Sequence, residues 1–395
     1  MNAFDVGVIV LAVLAALGGW RMGFLARVFS WVGMAAGLYL AVRFLPDVVK
    51  FFNLSGSVAR VALAVAVLLA GAFIGQGLGL MVGARLHAVL PFGGVRTLDR
   101  AVGSLLGVVG IFAVLWLLAP SLAAVPGPVS QLTTGSTIAR WVTNEARAVG
   151  LSPPNTLQAL RRLVGENGSP QVFTQFGPSE DTGHPPASDP LDQVVLNAAA
   201  ASTVKVKGAA CGLYQEGSGW TVAPDLVVTN AHVVAGEPPG QTSVLLPDGT
   251  TKPATVVVYN PDVDLALLYV PGLGEAPLPL GAGSRGQTGA VLGHPNGQDA
   301  LAVQPASIAT EVTALGQDLY DTHNTQRNVF VLAAKLTYGD SGAPLVDTQG
   351  KVVGIAFAIA PDRATTAYAL SSSELRPLLG QPHSAAVSTK ACLND

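Results

Sequence analysis

Four apolar stretches fall within the first 122 residues, at about 4–20, 28–45, 61–84 and 101–122. Each approaches the ~20 residues a helix needs to cross a hydrocarbon core, and together they exclude a single soluble globule. A cleavable signal would account only for the first stretch and would need a basic leader. Asp5 is the one charge before Arg21, so the first stretch is expected to remain as a span. Composition agrees, with 12% charged residues, 45 glycines and a mean hydropathy of +0.46.

A net charge of -3 conceals an asymmetry. Residues 1–124 hold eight Arg/Lys against three Asp/Glu, which leaves 14 against 22 for the rest. An acidic second part excludes a nucleic-acid partner, whose phosphates require a basic footprint. Arg21 and Arg27 lie between the first two stretches, and Arg85, Arg96 and Arg100 between the last two. The middle connection has Arg43, Lys50 and Arg60, with Asp47 offsetting one. Five basic groups against three place the first and third connections in the cytoplasm and both termini outside.

Gly71, Gly75, Gly79 and Gly83 recur every four residues and share one helix face, where a neighbouring backbone can approach closely. Gly33 and Gly37 in the second stretch, and Gly103 and Gly107 in the fourth, offer matching grooves. No ionisable group sits mid-span, which weighs against an ion pathway. In size, span number and glycine content, residues 1–124 resemble the four-span colicin V production protein family. The expectation is an all-α, four-helix membrane domain.

Residues 125–190 read as a connector. A helix is expected at about Thr134–Val149 and a shorter one at Thr156–Val164, followed by a Gly/Pro/Ser/Thr-rich linker over 165–190. From residue 191 the pattern changes to short β-branched runs separated by turns, in two sets divided by the Gly281–Gly289 bridge. Two packed, closed barrels would leave no open edge.

Chemistry is concentrated in three places of this strand-rich part. His232 ends Thr229-Asn230-Ala231-His232, Asp264 opens Asp264-Leu265-Ala266-Leu267, and Ser341 sits within Gly339-Asp340-Ser341-Gly342-Ala343-Pro344. A serine hydroxyl needs a base for attack, a histidine titrates near neutrality, and a carboxylate can fix its tautomer. Asp262, in Pro261-Asp262, competes with Asp264 for the last role. The three motifs, in this order, resemble the chymotrypsin/trypsin fold and its HtrA-like branch. That resemblance implies an all-β, two-barrel serine protease domain over 191–395, with His232, Asp264 and Ser341 catalytic. It also implies an oxyanion hole made by the Gly339 and Ser341 amides, Lys335 near the floor of the specificity pocket, Ile355-Ala356-Phe357 on its wall and Tyr338 at its rim. Asp340 stands where trypsin-like enzymes receive a new N-terminus after cleavage.

The two cysteines, Cys211 and Cys392, both fall in the exported part and are expected to form a disulfide. Closing so long a loop would contribute roughly 4–5 kcal/mol at best. No cofactor or metal is called for, since His232, His294 and His323 lack ligand-like spacing. As a whole, the chain resembles mycobacterial membrane-anchored periplasmic serine proteases linked to acid resistance. The expected function is a membrane-tethered endopeptidase acting through an acyl-enzyme on envelope proteins, with the lipid bilayer as its other partner and a monomeric protease domain. A catalytically silent, protease-like sensor or scaffold is the alternative.

Overall fold

The computed structural model describes residues 1–52, 57–89, 93–123, 127–148, 151, 179–211, 213–320 and 322–393. The expected helix at Thr156–Val164, and the linker up to residue 178, lie outside them. The chain divides into two compact units, one of Met1–Ala123 with Leu132–Val164 and one of Ala124–Gln131 with Gly165–Asp395.

The first unit is helical: α1 (Ala3–Phe52), α2 (Ser57–Val89), α3 (Gly94–Ala123) and α5 (Thr137–Ala148). Three of these, not four, are long and apolar enough to cross a membrane, which corrects the four-helix expectation. The physical reason is Gly23. The loop expected between the first two apolar stretches shrinks to this residue, at φ 82 and ψ 172, inside the continuous run of α1. Arg27 Nη2 donates to the Ala15 carbonyl at 2.8 Å, although twelve residues of straight helix would separate them by about 18 Å. Helix α1 therefore folds back on itself at Gly23, a conformation open in practice only to glycine.

Packing in this unit rests on absent side chains. A methyl on Gly75 would lie 2.2 Å from the Gly33 carbonyl oxygen, and one on Gly37 would lie 2.1 Å from that of Gly71. Gly107 meets Ala15 in the same manner. The glycine rows of the sequence are thus backbone-on-backbone seams. Asp5 caps the start of α5 from afar: its carboxylate accepts from Ser136 Oγ at 2.6 Å and from the Ile138 amide at 3.0 Å. Trp141 of α5 packs edge-on against Phe112 of α3.

The second unit begins with a short helix, α4 (Pro128–Thr134), whose last residues belong with the first unit, and continues at α6 (Gln193–Ser202), capped by Asp192. Strands β1 (Thr203–Ala210), β2 (Leu213–Ala223), β3 (Leu226–Thr229), β4 (Ser243–Leu245), β5 (Thr251–Pro253), β6 (Thr255–Asn260) and β7 (Leu265–Tyr269) form one sheet. Its order is β5-β4-β1-β2-β3-β7-β6. The outer strands β5 and β6 do not pair, so this sheet curls but stays open, and the expectation of two barrels is corrected. The edge strand β5 and its neighbour β4 are only three residues long, and Pro253 leaves β5 one donor short.

Strands β8 (Thr288–Gly293), β9 (Ala302–Gln317), β10 (Asn324–Ala333), β11 (Pro344–Asp347), β12 (Val352–Ile359) and β13 (Thr366–Ser371) pair in a ring, before a final turn of helix, α7 (Arg376–Leu379). One apolar cluster fills each sheet. A third joins them, with Trp220, Leu265 and Leu267 from the open sheet against Leu292, Val329 and Phe357 from the ring. Each such side chain contributes roughly 1.5–3 kcal/mol when fully buried, so the face between the two sheets is firmly fixed. Cys211 and Cys392 are joined as a disulfide, 181 residues apart, which ties the end of β1 to the C-terminal tail.

Candidate active site

Strand register brings the histidine to the acid. β3 and β7 are antiparallel with Thr229 opposite Ala266, so the chain just beyond Thr229 faces the chain just before Ala266. His232 lies in the single turn Ala231–Val233 that follows β3. Asp264 is fully buried and has φ 57, a left-handed conformation that aspartate tolerates better than most residues. Its two oxygens accept from His232: Oδ1 from the backbone amide at 2.9 Å, and Oδ2 pairs with Nδ1 at 2.7 Å. Asn230 Nδ2 donates to the Asp264 carbonyl at 2.8 Å and holds the peptide behind it. With Nδ1 engaged as donor, Nε2 is left as the basic nitrogen.

Asp262, the competing acid, faces elsewhere. Its Oδ1 lies 3.2 Å from His323 Nε2. Asp262, Asp318 and His323 offer ligand atoms within 4.8 Å of one another, so His323 is less isolated than its place in the sequence implies.

Ser341 arrives on a neighbouring turn anchored to the open sheet. The Ser218 amide of β2 donates to the Ser341 carbonyl at 2.8 Å, and Thr229 Oγ1 donates to the Ser218 carbonyl at 2.8 Å. Gly342, at φ 86, packs on both: a methyl there would lie 2.1 Å from the Ser218 carbonyl and 2.6 Å from Thr229 Oγ1. Gly217 separates Val233 from the Ser341 carbonyl in the same way. The histidine motif and the serine motif thus meet across β2. Among the described residues the His232 ring is bonded to Asp264, and no hydrogen bond joins it to the Ser341 hydroxyl.

Gly339 has φ 92, and a methyl there would strike the His294 carbonyl at 2.3 Å, so this position requires glycine. The Tyr338 carbonyl accepts from the Asn296 amide at 2.5 Å and the Gly339 carbonyl from Ser218 Oγ at 2.7 Å. A trans peptide sets N–H opposite C=O, so the Gly339 N–H points away from Asn296. Among the described residues, neither the Gly339 nor the Ser341 amide has an internal acceptor.

Asp340 is buried, which pushes its carboxyl up, and it accepts from the Thr337 amide at 2.8 Å and Gln304 Nε2 at 3.0 Å. Its partners are neutral groups. Beside Ser341 a narrow cavity is lined by Leu336, Tyr338, Ala356, Phe357 and Ile359. Lys335, which the family resemblance put near the pocket floor, is exposed and does not line this cavity, while Tyr338 and two members of the 355–357 run do.

Sequence reasoning missed several residues at the site. Ser218 links three backbone segments yet looks like any strand serine. Arg327 is buried in β10 and donates from Nε to the Asp262 carbonyl at 2.6 Å and from Nη2 to the Gln317 carbonyl at 2.6 Å. Arg327 sits in the polar first half of its strand, Asn324–Asn328, where no local signal marks it for burial.

The model of the trypsin-like peptidase domain matches residues 217–355, and that of the colicin V production protein matches residues 4–147. Serine protease Rv3671c of Mycobacterium tuberculosis strain H37Rv is 34% identical over 407 aligned positions, covering 99% of this chain and 98% of the relative. Mitochondrial serine protease HTRA2 of Bos taurus is 35% identical over 163 positions, 37% of this chain and 34% of that protein. The crystal structure of the active form of the Rv3671c protease is similar at 35% identity, covering 55% of this chain and 98% of that one, with a TM-score of 0.49. With a colicin V-type segment ahead of a trypsin-like peptidase domain and a match along nearly its whole length, the chain belongs to the family of membrane-associated, trypsin-like serine proteases that includes Rv3671c.

Proposed function

We propose that Ser341, His232 and Asp264 form the catalytic triad of this protease and that Gly339 and Ser341 supply its oxyanion donors. The observation that carries the reading is the two-point grip of the buried Asp264 carboxylate on His232. Ser341 Oγ attacks the scissile carbonyl carbon as its proton passes to His232 Nε2. The developing oxyanion accepts from the Gly339 and Ser341 N–H groups, which have no internal acceptor among the described residues. The C–N bond breaks as the imidazolium returns its proton to the leaving amine. Water, deprotonated by His232, then hydrolyses the acyl ester and regenerates the serine.

The substrates are proteins or peptides of the cell envelope, and the protease domain acts as a monomer on the extracytoplasmic side of the plasma membrane. Charge supports this orientation. The fold-back at Gly23 groups Arg21 and Arg27 with the start of α3, where Asp99 Oδ1 accepts from the Leu25 amide at 3.2 Å. Arg96 and Arg100 flank that aspartate, so basic groups of both connections gather at one end of the unit, which reads as cytoplasmic. The likeness to acid-resistance proteases extends the reading to envelope stress. The working division is a membrane domain at 1–124, a connector at 125–190 and a protease domain at 191–395.

A fluorophosphonate probe applied to the full chain in nanodiscs tests the proposal. Labelling and peptide hydrolysis should both occur and both vanish in Ser341→Ala. A folded wild-type protein that neither labels nor cleaves would favour the silent sensor.

A further inference from the structure

Lys205 lies on β1 opposite Ser218 of β2, outside the three motifs in sequence, and its side chain is only 4% exposed. A buried ammonium is strongly unfavourable unless its protons are all taken up. Here they are: Nζ pairs with Glu216 Oε1 at 2.8 Å and Asp299 Oδ1 at 2.9 Å, and donates to the Gly297 carbonyl. Two of these acceptors, Gly297 and Asp299, belong to one segment. It begins with the turn His294-Pro295-Asn296-Gly297, in which Asn296 and Gly297 both have positive φ, 56 and 69. Left-handed asparagine is uncommon and persists where its surroundings hold it. Glu216 closes over Gly297 so tightly that a methyl there would meet its Oε2 at 2.0 Å.

That turn is the surface on which the oxyanion segment rests. Asn296 N–H donates to the Tyr338 carbonyl, and the His294 amide donates to Ser218 Oγ at 2.9 Å, which in turn holds the Gly339 carbonyl. The His294 carbonyl and the Asn296 and Gly297 amides all lie within 3.1 Å of where a Gly339 methyl would be. The Tyr338–Gly339 peptide thus rests on a turn whose Gly297 carbonyl is held by one buried cation.

We propose that Lys205 is a positioning residue for peptide hydrolysis: through the 294–297 turn it fixes the peptide plane that aims the Gly339 N–H at the oxyanion. The inference rests on the oxyanion reading above and deepens it. Losing Lys205 lets the turn relax and the Tyr338–Gly339 peptide rotate. Such a rotation weakens transition-state binding and leaves ground-state binding of substrate unchanged.

The test uses the full chain in nanodiscs with a soluble peptide substrate, its uncleavable analogue and a peptide boronate that mimics the tetrahedral adduct. Removing one oxyanion donor outright costs about 100–1,000-fold in kcat, which bounds the effect. Lys205→Met should lower kcat by about 10–100-fold, with KM and analogue binding within twofold of wild type. Boronate affinity should fall in step with kcat. Lys205→Met could fail to fold, so Asp299→Asn, which alters a 75% exposed side chain, provides the second variant. It should lower kcat and boronate affinity together by about 2–5-fold. Wild-type kcat and boronate affinity in either folded variant would overturn the proposal. So would a loss confined to KM, which would assign Lys205 to substrate binding. Ser341→Ala separates this from the parent reading: if it still cleaves, the triad fails. If Ser341→Ala is inert and Gly339→Ala loses kcat and boronate affinity while Lys205→Met is fully active, only the present inference fails.

Discussion

Glycine does opposite work in the two units. In the helical unit Gly33, Gly37, Gly71 and Gly75 keep helical backbones, and what matters is the space their missing side chains leave for a second backbone. In the protease unit Gly339 and Gly342 combine left-handed φ with close packing, so both backbone torsion and space demand glycine. One is a rule about faces and repeats along a helix. The other is a rule about single turns, and the chemistry of the molecule is found where the second applies.

The most damaging single methyl should therefore be Gly339→Ala. It meets both constraints at once, and kcat on a soluble peptide is expected to drop about 100–1,000-fold while the helical content of the full chain stays constant by circular dichroism. Normal kcat would break the distinction at its strongest point.

Gly208 sharpens the comparison by showing a third use, room for a buried carboxyl. A methyl there would lie 2.0 Å from Glu237 Oε1. Burial pushes the Glu237 carboxyl up to about 7, although Thr242 donates a hydrogen bond to it. The folded state then holds a proton that the unfolded state releases. This stability is fully present below pH 4.5 and is lost as pH rises towards 7. Glu237→Gln should remove on the order of 2–3 kcal/mol of that decline, read as denaturant unfolding of the protease at pH 4.5 and 7.5. An unchanged pH slope would show that the carboxyl is ionised within the fold.

Gly75→Ala tests the seam. Its methyl would sit 2.2 Å from the Gly33 carbonyl oxygen, and the bundle should lose about 1–3 kcal/mol in steric trapping or thermal unfolding, with kcat on a soluble peptide unaltered. The smallest effect belongs to Gly77, two residues away on the same helix, where a methyl would meet nothing within 4 Å. Gly77→Ala should be neutral, or stabilising by up to about 1 kcal/mol through helix propensity. Equal damage from both would show that the seam does not depend on the glycine face.

What could be read along the chain followed the range of the interactions. The apolar stretches, the glycine rows and the three motifs were legible because each depends on neighbours a few residues apart. The fold-back at Gly23 was not, since one glycine among many in an apolar run carries no local mark of reversal. Sheet closure was also hidden: short strands 243–245 and 251–253 look compatible with a barrel until their edges are placed. Lys335 illustrates the same limit in the site. The family resemblance implied a place near the pocket, and only the path of the chain after Ala334 turned the side chain to solvent.

The amino-acid sequence alone determined that this chain has membrane-length helices, a strand-rich part, and a histidine, an aspartate and a serine in a protease order. Hydrophobic length, residue periodicity and side-chain chemistry are local properties, written into consecutive residues. Tertiary structure decided that Asp264 and not Asp262 grips His232, that one sheet stays open, and that Lys205, Ser218 and the 294–297 turn stand behind Gly339. Those outcomes depend on strand register and on packing between segments far apart in the chain, where a shift of one residue would exchange every partner.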